Sequence, residues 1–147
     1  MPLLNNRPGS ASAGATILGA HVEGPFISYE KKGAHNPGVF KDAKRGIEDL
    51  DEAYGSQLKK GSDAVRIITL APEIEGICNA IPDLVKRNIV VSMGHSACKI
   101  AQAEEAVTKG ASSITHLFNA MQAVSRKMVT IKVSSPCVYS FIIVILV

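Results

Sequence analysis

The residues of this chain best placed to do chemistry are a His21-x-Glu23 pair and single histidines at 95 and 116. The pair lies in Gly19-Ala20-His21-Val22-Glu23-Gly24-Pro25-Phe26, after an apolar run from Thr16 to Leu18 and before a Gly-Pro stop. A strand end of that kind can present metal ligands, since carboxylate oxygens and imidazole nitrogens both bind divalent cations. Two later runs, Ile89 to His95 and Ser113 to His116, also finish in a histidine. Three strand ends could therefore converge on one polar site, as they do at the carboxyl ends of parallel barrel strands.

Elements that would position such ends are legible along the chain. Thr16 to Gly19, Val65 to Leu70, Ile89 to Met93 and Ser113 to Leu117 are rich in Val, Ile and Thr and predict buried strands. Ile74 to Arg87 and Lys99 to Lys109 predict helices, the second with Ile100, Ala103 and Val107 at helical spacing and Gly110 as its stop. Strand starts at 65, 89 and 113 are 24 residues apart (89 − 65 and 113 − 89), a rhythm suited to strand-helix units in a parallel sheet. The fold class is α/β.

Residues 28 to 63 break the rhythm, with Lys31-Lys32-Gly33-Ala34-His35-Asn36-Pro37-Gly38 ahead of a helix expected around Ile47 to Lys59. Such strand-to-helix loops border barrel sites, so His35 could face the same pocket as Glu23. A surface turn is the plainer alternative for a histidine in a Gly/Pro-rich loop.

Length and composition bound the rest. At 147 residues, 46% hydrophobic and 20% charged, the chain suits one globular domain. The net charge of +3 comes from scattered lysines, and aromatics make up only 5%, which argues against a nucleic-acid partner. Cys78, Cys98 and Cys137 form neither an even set nor a Cys-x-x-Cys pair, which fits a reducing, cytoplasmic setting. Residues 1–15 have no apolar core of a secretory signal and are expected to be a flexible lead-in. The uncharged run from Val138 to Val147 falls short of the about 20 residues needed to span a bilayer, so no membrane is expected and a buried or aggregation-prone strand is.

Five motifs occur in order: His21-x-Glu23-Gly24-Pro25-Phe26, Lys32-Gly33-Ala34-His35-Asn36-Pro37, Leu70-Ala71-Pro72-Glu73, Ser92-Met93-Gly94-His95-Ser96 and Thr115-His116-Leu117-Phe118-Asn119-Ala120-Met121. Together they resemble the N-acetylglucosamine-6-phosphate deacetylases. The resemblance implies a partial TIM-like (β/α) barrel, with parallel strands alternating with helices over residues 16–121, and a divergent apolar tail over 122–147. It implies a metal-dependent amidohydrolase that releases acetate from N-acetylglucosamine 6-phosphate in aminosugar catabolism, and allows for a homodimer in the intact family member. By motif, Glu23, His95 and His116 match the ligands of a divalent ion, zinc or another first-row metal, while Ala34, His35, Asn119 and Ala120 match sugar-phosphate contacts. His21 matches no ligand, and packing or support of its neighbours is expected of it.

The departures are as informative. The resembled family continues past Asn-Ala-Met with a Gly-rich loop, an arginine, further strands and a proton-carrying aspartate. Here Arg126 is out of register by one residue, and Asp83 is the last aspartate. An internal, inactive piece of a deacetylase is therefore expected. The alternatives are a non-catalytic metal- or sugar-phosphate-binding fragment and another amidohydrolase, for instance one acting on cyclic amides.

Overall fold

The computed structural model describes residues 9, 12, 14–58, 64–117 and 119, and the backbone of 142–144. Five strands form one sheet in the order β1 (Ala20–Glu23), β2 (Val65–Leu70), β3 (Val90–Met93), β4 (Ser113–Thr115) and β5 (Ile142–Val144). Every neighbouring pair is parallel. Three helices intervene: α1 (Ile47–Tyr54), α2 (Ile77–Lys86) and α3 (Ile100–Thr108). The α/β alternation expected from the sequence is thus present, and β5 arises within the apolar run near the C-terminus.

Alternation along each strand sorts the sheet into two chemically different faces. Val22, Ile68, Leu70, Val91, Met93 and Ile114 join the core on the helical side. There they meet Leu50 of α1 and Ile77, Ala80, Ile81 and Leu84 of α2, whose three- and four-residue spacing makes one apolar stripe. His21, Glu23, Thr69, Ser92 and Thr115 alternate with them and face the other way. Burial of the apolar set holds the sheet on its helices; the polar set is left for the site.

The first strand differs from expectation. Thr16 to Gly19 is not its location: Leu18 is 73% exposed, and pairing with β2 begins at Ala20 opposite Val65. Apolar β-formers read as strand from composition alone, but here the ladder with β2 begins at Ala20, and Leu18 is reached by β2 through the Arg66 side chain, which donates to its carbonyl at 3.2 Å. The helices at Ile77–Lys86 and Ile100–Thr108 are shorter than their sequence patterns. For α2 the reason is Gly76, which has φ 82° and packs so tightly that a β-carbon there would lie 1.7 Å from the Ala43 carbonyl oxygen. The chain must turn at that point before it can wind. The helix from Ile47 ends at Tyr54 and continues as a single 3-10 turn to Leu58.

Candidate metal centre

Three strand ends build the site. Glu23 closes β1, His95 follows β3 after Gly94, and His116 follows β4 directly. Both histidines leave their strands in the left-handed backbone region, at φ 48° and 55°, which turns their rings out of the sheet's alternation. Glu23 Oε1 is the hub. It touches His95 Nε2, lies 3.2 Å from His116 Nε2 and 3.6 Å from His35 Nε2. One donor atom from each of Glu23, His95 and His116 falls within 4.8 Å of the others. The His95 ring meets those of His35 and His116 edge-on, with centroids 4.9 and 5.1 Å away.

His95 carries the most specific chemistry. Its Nδ1 is 2.6 Å from the Lys31 carbonyl oxygen, which can only accept, so the ring hydrogen belongs on Nδ1. In the neutral ring Nε2 then has a bare lone pair, and this buried atom has no hydrogen-bond partner although it touches the Glu23 carboxylate. Two electron-rich atoms are thereby held together, an arrangement that a cation between them stabilises. One carboxylate oxygen and two imidazole nitrogens also make a donor set suited to a first-row divalent ion. On both grounds the residues fit a metal. His95 is shut in, its side chain 6% exposed, whereas His116 at 30% leaves a way in from solvent.

The loop after His95 is fixed by a residue whose motif carried no role in the sequence reading. Glu73 accepts from the Ser96 hydroxyl at 2.6 Å and from the Ala97 amide, so both carboxylate oxygens clamp the two residues beyond the histidine. Ser28 N donates to the His95 carbonyl, 2.8 Å, tying the same point to the loop after β1. Tyr54 donates to the Gly24 carbonyl, and burial pushes its phenol well above the usual range.

His21 lies on β1, two residues before Glu23. Its Nε2 is 2.7 Å from the Thr69 hydroxyl, which contacts Thr115, which contacts Ser92. Burial pushes the His21 imidazole below its ordinary pKa, with Glu23 opposing and His116 adding to the shift. These hydroxyls were missed because Thr and Ser are ordinary strand residues; two of them, Ser92 and Thr115, nonetheless stand inside the motifs. Of the sugar-contact expectations, His35 lies beside the hub, Ala34 is exposed next to it, and Asn119 is exposed, its backbone N–H donating to the His116 carbonyl at 2.6 Å. Ala120 lies outside the described residues.

Comparison with known proteins meets this geometry. No protein-family model matches the chain. The curated N-acetylglucosamine-6-phosphate deacetylases of Danio rerio and Homo sapiens are 52% and 48% identical over 109 residues, which is 74% of this chain and 26% and 25% of theirs. The chain belongs to the N-acetylglucosamine-6-phosphate deacetylase family. It spans about a quarter of the length of those deacetylases. A deacetylase mutant from Mycobacterium smegmatis, solved in complex with N-acetyl-D-glucosamine-6-phosphate, superposes with a TM-score of 0.62 at 37% identity, over 74% of this chain and 27% of that one. The Thermotoga maritima deacetylase does so with a TM-score of 0.62 at 34% identity, over 76% and 28%. An N-acetylgalactosamine-6-phosphate deacetylase of Escherichia coli O157:H7 is also similar, 36% identical over 108 residues, covering 74% of this chain and 27% of its own. The parallel sheet with its helices is accordingly an arc of the deacetylases' TIM-type barrel.

Proposed function

We propose that Glu23, His95 and His116 bind a divalent cation, zinc or another first-row ion, in the part of a deacetylase that receives an N-acetylhexosamine 6-phosphate. The observation that carries this reading is the buried, partnerless His95 Nε2 held against Glu23 Oε1. A divalent ion there would polarise the acetamide carbonyl and lower the pKa of water towards about 7.

The chain's own residues prepare that chemistry. The Lys31 carbonyl selects the His95 tautomer with Nε2 free. A cleft opens beside Glu23 with His35, Phe40 and Lys41 among its walls, offering an imidazole, an apolar surface and an ammonium to a sugar phosphate. Ala34, Asn119 and Ala120 would complete the sugar contacts by their place in the motifs. The glucosamine- and galactosamine-directed relatives leave the C4 configuration of the sugar open, so the substrate class is the N-acetylhexosamine 6-phosphates. Cys78 and Cys98 are free thiols, in keeping with a cytoplasmic setting. No helix among the described residues is long and apolar enough to cross a membrane.

Binding and turnover separate in this chain. Within these 147 residues no aspartate follows Asp83, so the proton carrier expected beyond the metal strands is not among them. The 147-residue polypeptide should therefore bind zinc without deacetylating. Calorimetric titration should give one zinc site that is lost in His95→Ala, and acetate release from N-acetylglucosamine 6-phosphate should stay at background. Absence of saturable binding would overturn the metal assignment. Turnover near that of an intact relative, abolished by His95→Ala, would overturn the separation.

A further inference from the structure

We propose that the hydrogen-bond chain His21–Thr69–Thr115–Ser92 is a positioning element that sets the spacing of the strands bearing the metal ligands. This inference rests on the metal reading of Glu23, His95 and His116 given above.

The chain runs across the polar face of the sheet just beneath the site. His21 Nε2 to Thr69 Oγ1, Thr69 Oγ1 to Thr115 Oγ1 and Thr115 Oγ1 to Ser92 Oγ are each 2.7 Å. The three hydroxyl residues are all but sealed from solvent, with Thr69 at 0%, Ser92 at 1% and Thr115 at 2% exposure. Each ligand has a member of the chain shortly upstream on its own strand: His21 before Glu23, Ser92 before His95, Thr115 before His116. Thr69 stands on β2, which bears no ligand, and bridges β1 to β4.

That bridge passes in front of β3, and Gly94 makes it feasible. A β-carbon on Gly94 would lie 2.8 Å from Thr115 Cβ and 3.0 Å from Thr69 Cγ2, so the missing side chain is the space in which the two threonines meet. Backbone pairing between β3 and β4 stops short of the ligands. The β3–β4 ladder ends at Met93 opposite Ile114, and both histidines lie beyond it in left-handed conformations. The hydroxyl chain is the side-chain tie across these strands at the level where the ladder stops.

Its proton count lets it run unbroken from end to end. Three contacts share three hydroxyl hydrogens, and a run from Ser92 through Thr115 and Thr69 to a His21 Nε2 lone pair uses each of them once. Deleting the Thr69 or Thr115 hydroxyl breaks the run in its middle and strands a buried donor, and deleting that of Ser92 detaches β3 from it. Groups bonded directly to metal ligands typically alter affinity by about 10- to 100-fold when removed, and a chain that acts on the ligands through their strands belongs at the lower end of that range.

The test is cobalt(II) binding by the full chain, followed by calorimetry and by the visible d–d spectrum, well below the unfolding temperature. Thr69→Val, which keeps the shape and removes the hydroxyl, should weaken binding by about 10-fold or more and change the spectrum. Thr69→Ser, which restores the hydroxyl, should recover both. A Thr69→Val protein that binds within about two-fold of wild type with an unchanged spectrum would overturn the proposal, whatever its melting temperature. If Thr69→Val does not fold by circular dichroism, Ser92→Ala at the end of the chain decides by the same criteria. Wild-type protein that binds no cobalt overturns the metal reading, and this inference with it. Wild-type binding with indifferent variants overturns the inference alone.

Discussion

Gly94 and Thr115 sit so close that the glycine cannot acquire a side chain without moving the threonine: a β-carbon would stand 2.8 Å from Thr115 Cβ and 3.2 Å from the Thr115 carbonyl oxygen. Backbone is among the atoms struck, so rotamer change alone does not relieve the overlap. Gly94→Ala should destabilise the fold by about 1–3 kcal/mol, the usual range for an overpacked core position. Urea unfolding monitored by circular dichroism measures this, and a midpoint equal to wild type would contradict the packing described.

Asp51 and Arg87 join the end of α2 to α1. Arg87 Nη2 donates to Asp51 Oδ2 at 2.9 Å while Nη1 reaches the other carboxylate oxygen and donates to the Leu58 carbonyl at 3.0 Å. The side chains are 16% and 29% exposed, so this two-pronged pair is better shielded than an ordinary surface bridge. Asp51→Asn should cost about 1–2 kcal/mol in low salt. The difference should narrow in about 1 M NaCl, where the screening length falls to roughly 3 Å. A salt-independent loss would point to packing rather than charge.

The two described cysteines should be sluggish nucleophiles. Burial pushes the Cys78 thiol up, and it pushes Cys98 up despite the opposing hydrogen bond from Ser96. Since thiolate is the reactive form, iodoacetamide at about pH 8 should label both more slowly in folded protein than in urea-unfolded protein, with the folded rate still climbing above about pH 8.5. The same shift has a stability sign. A thiol pKa raised by folding contributes stability that is fully present below the unfolded value and is lost as pH rises through the folded one, so the loss falls on the alkaline side. Peptide-level mass spectrometry gives the labelling rates; equal folded and unfolded rates at pH 8 would refute the burial argument.

The site was more legible than the strand that opens it. Glu23, His95 and His116 stand at the ends of β-rich runs, and a parallel sheet gathers like ends together, so periodicity and motif order sufficed to group them. Strand β1 was displaced because Thr16, Ile17 and Leu18 have the composition of a strand, whereas a strand is made by its partner, and pairing starts at Ala20. Glu73 and the hydroxyls of Thr69, Ser92 and Thr115 stayed hidden for a related reason. Their roles depend on which residues face one another across the sheet, and register is a property of the assembled sheet rather than of any one segment. Lys31 was beyond reach altogether, because it acts through its carbonyl and the side chain that names it takes no part.

The contact between Glu23 and His116 joins residues 93 apart in the chain. During synthesis at about 5–20 residues per second, the carboxylate would emerge roughly 5 to 20 seconds before its last imidazole partner. Through that interval β1 and β2 can pair, and β3 can bring His95 into place, but the donor set is still one member short. On the metal reading proposed above, loading with an ion would wait until β4 has docked, which would make the ion a late arrival on four paired strands rather than a nucleus around which the first of them gather.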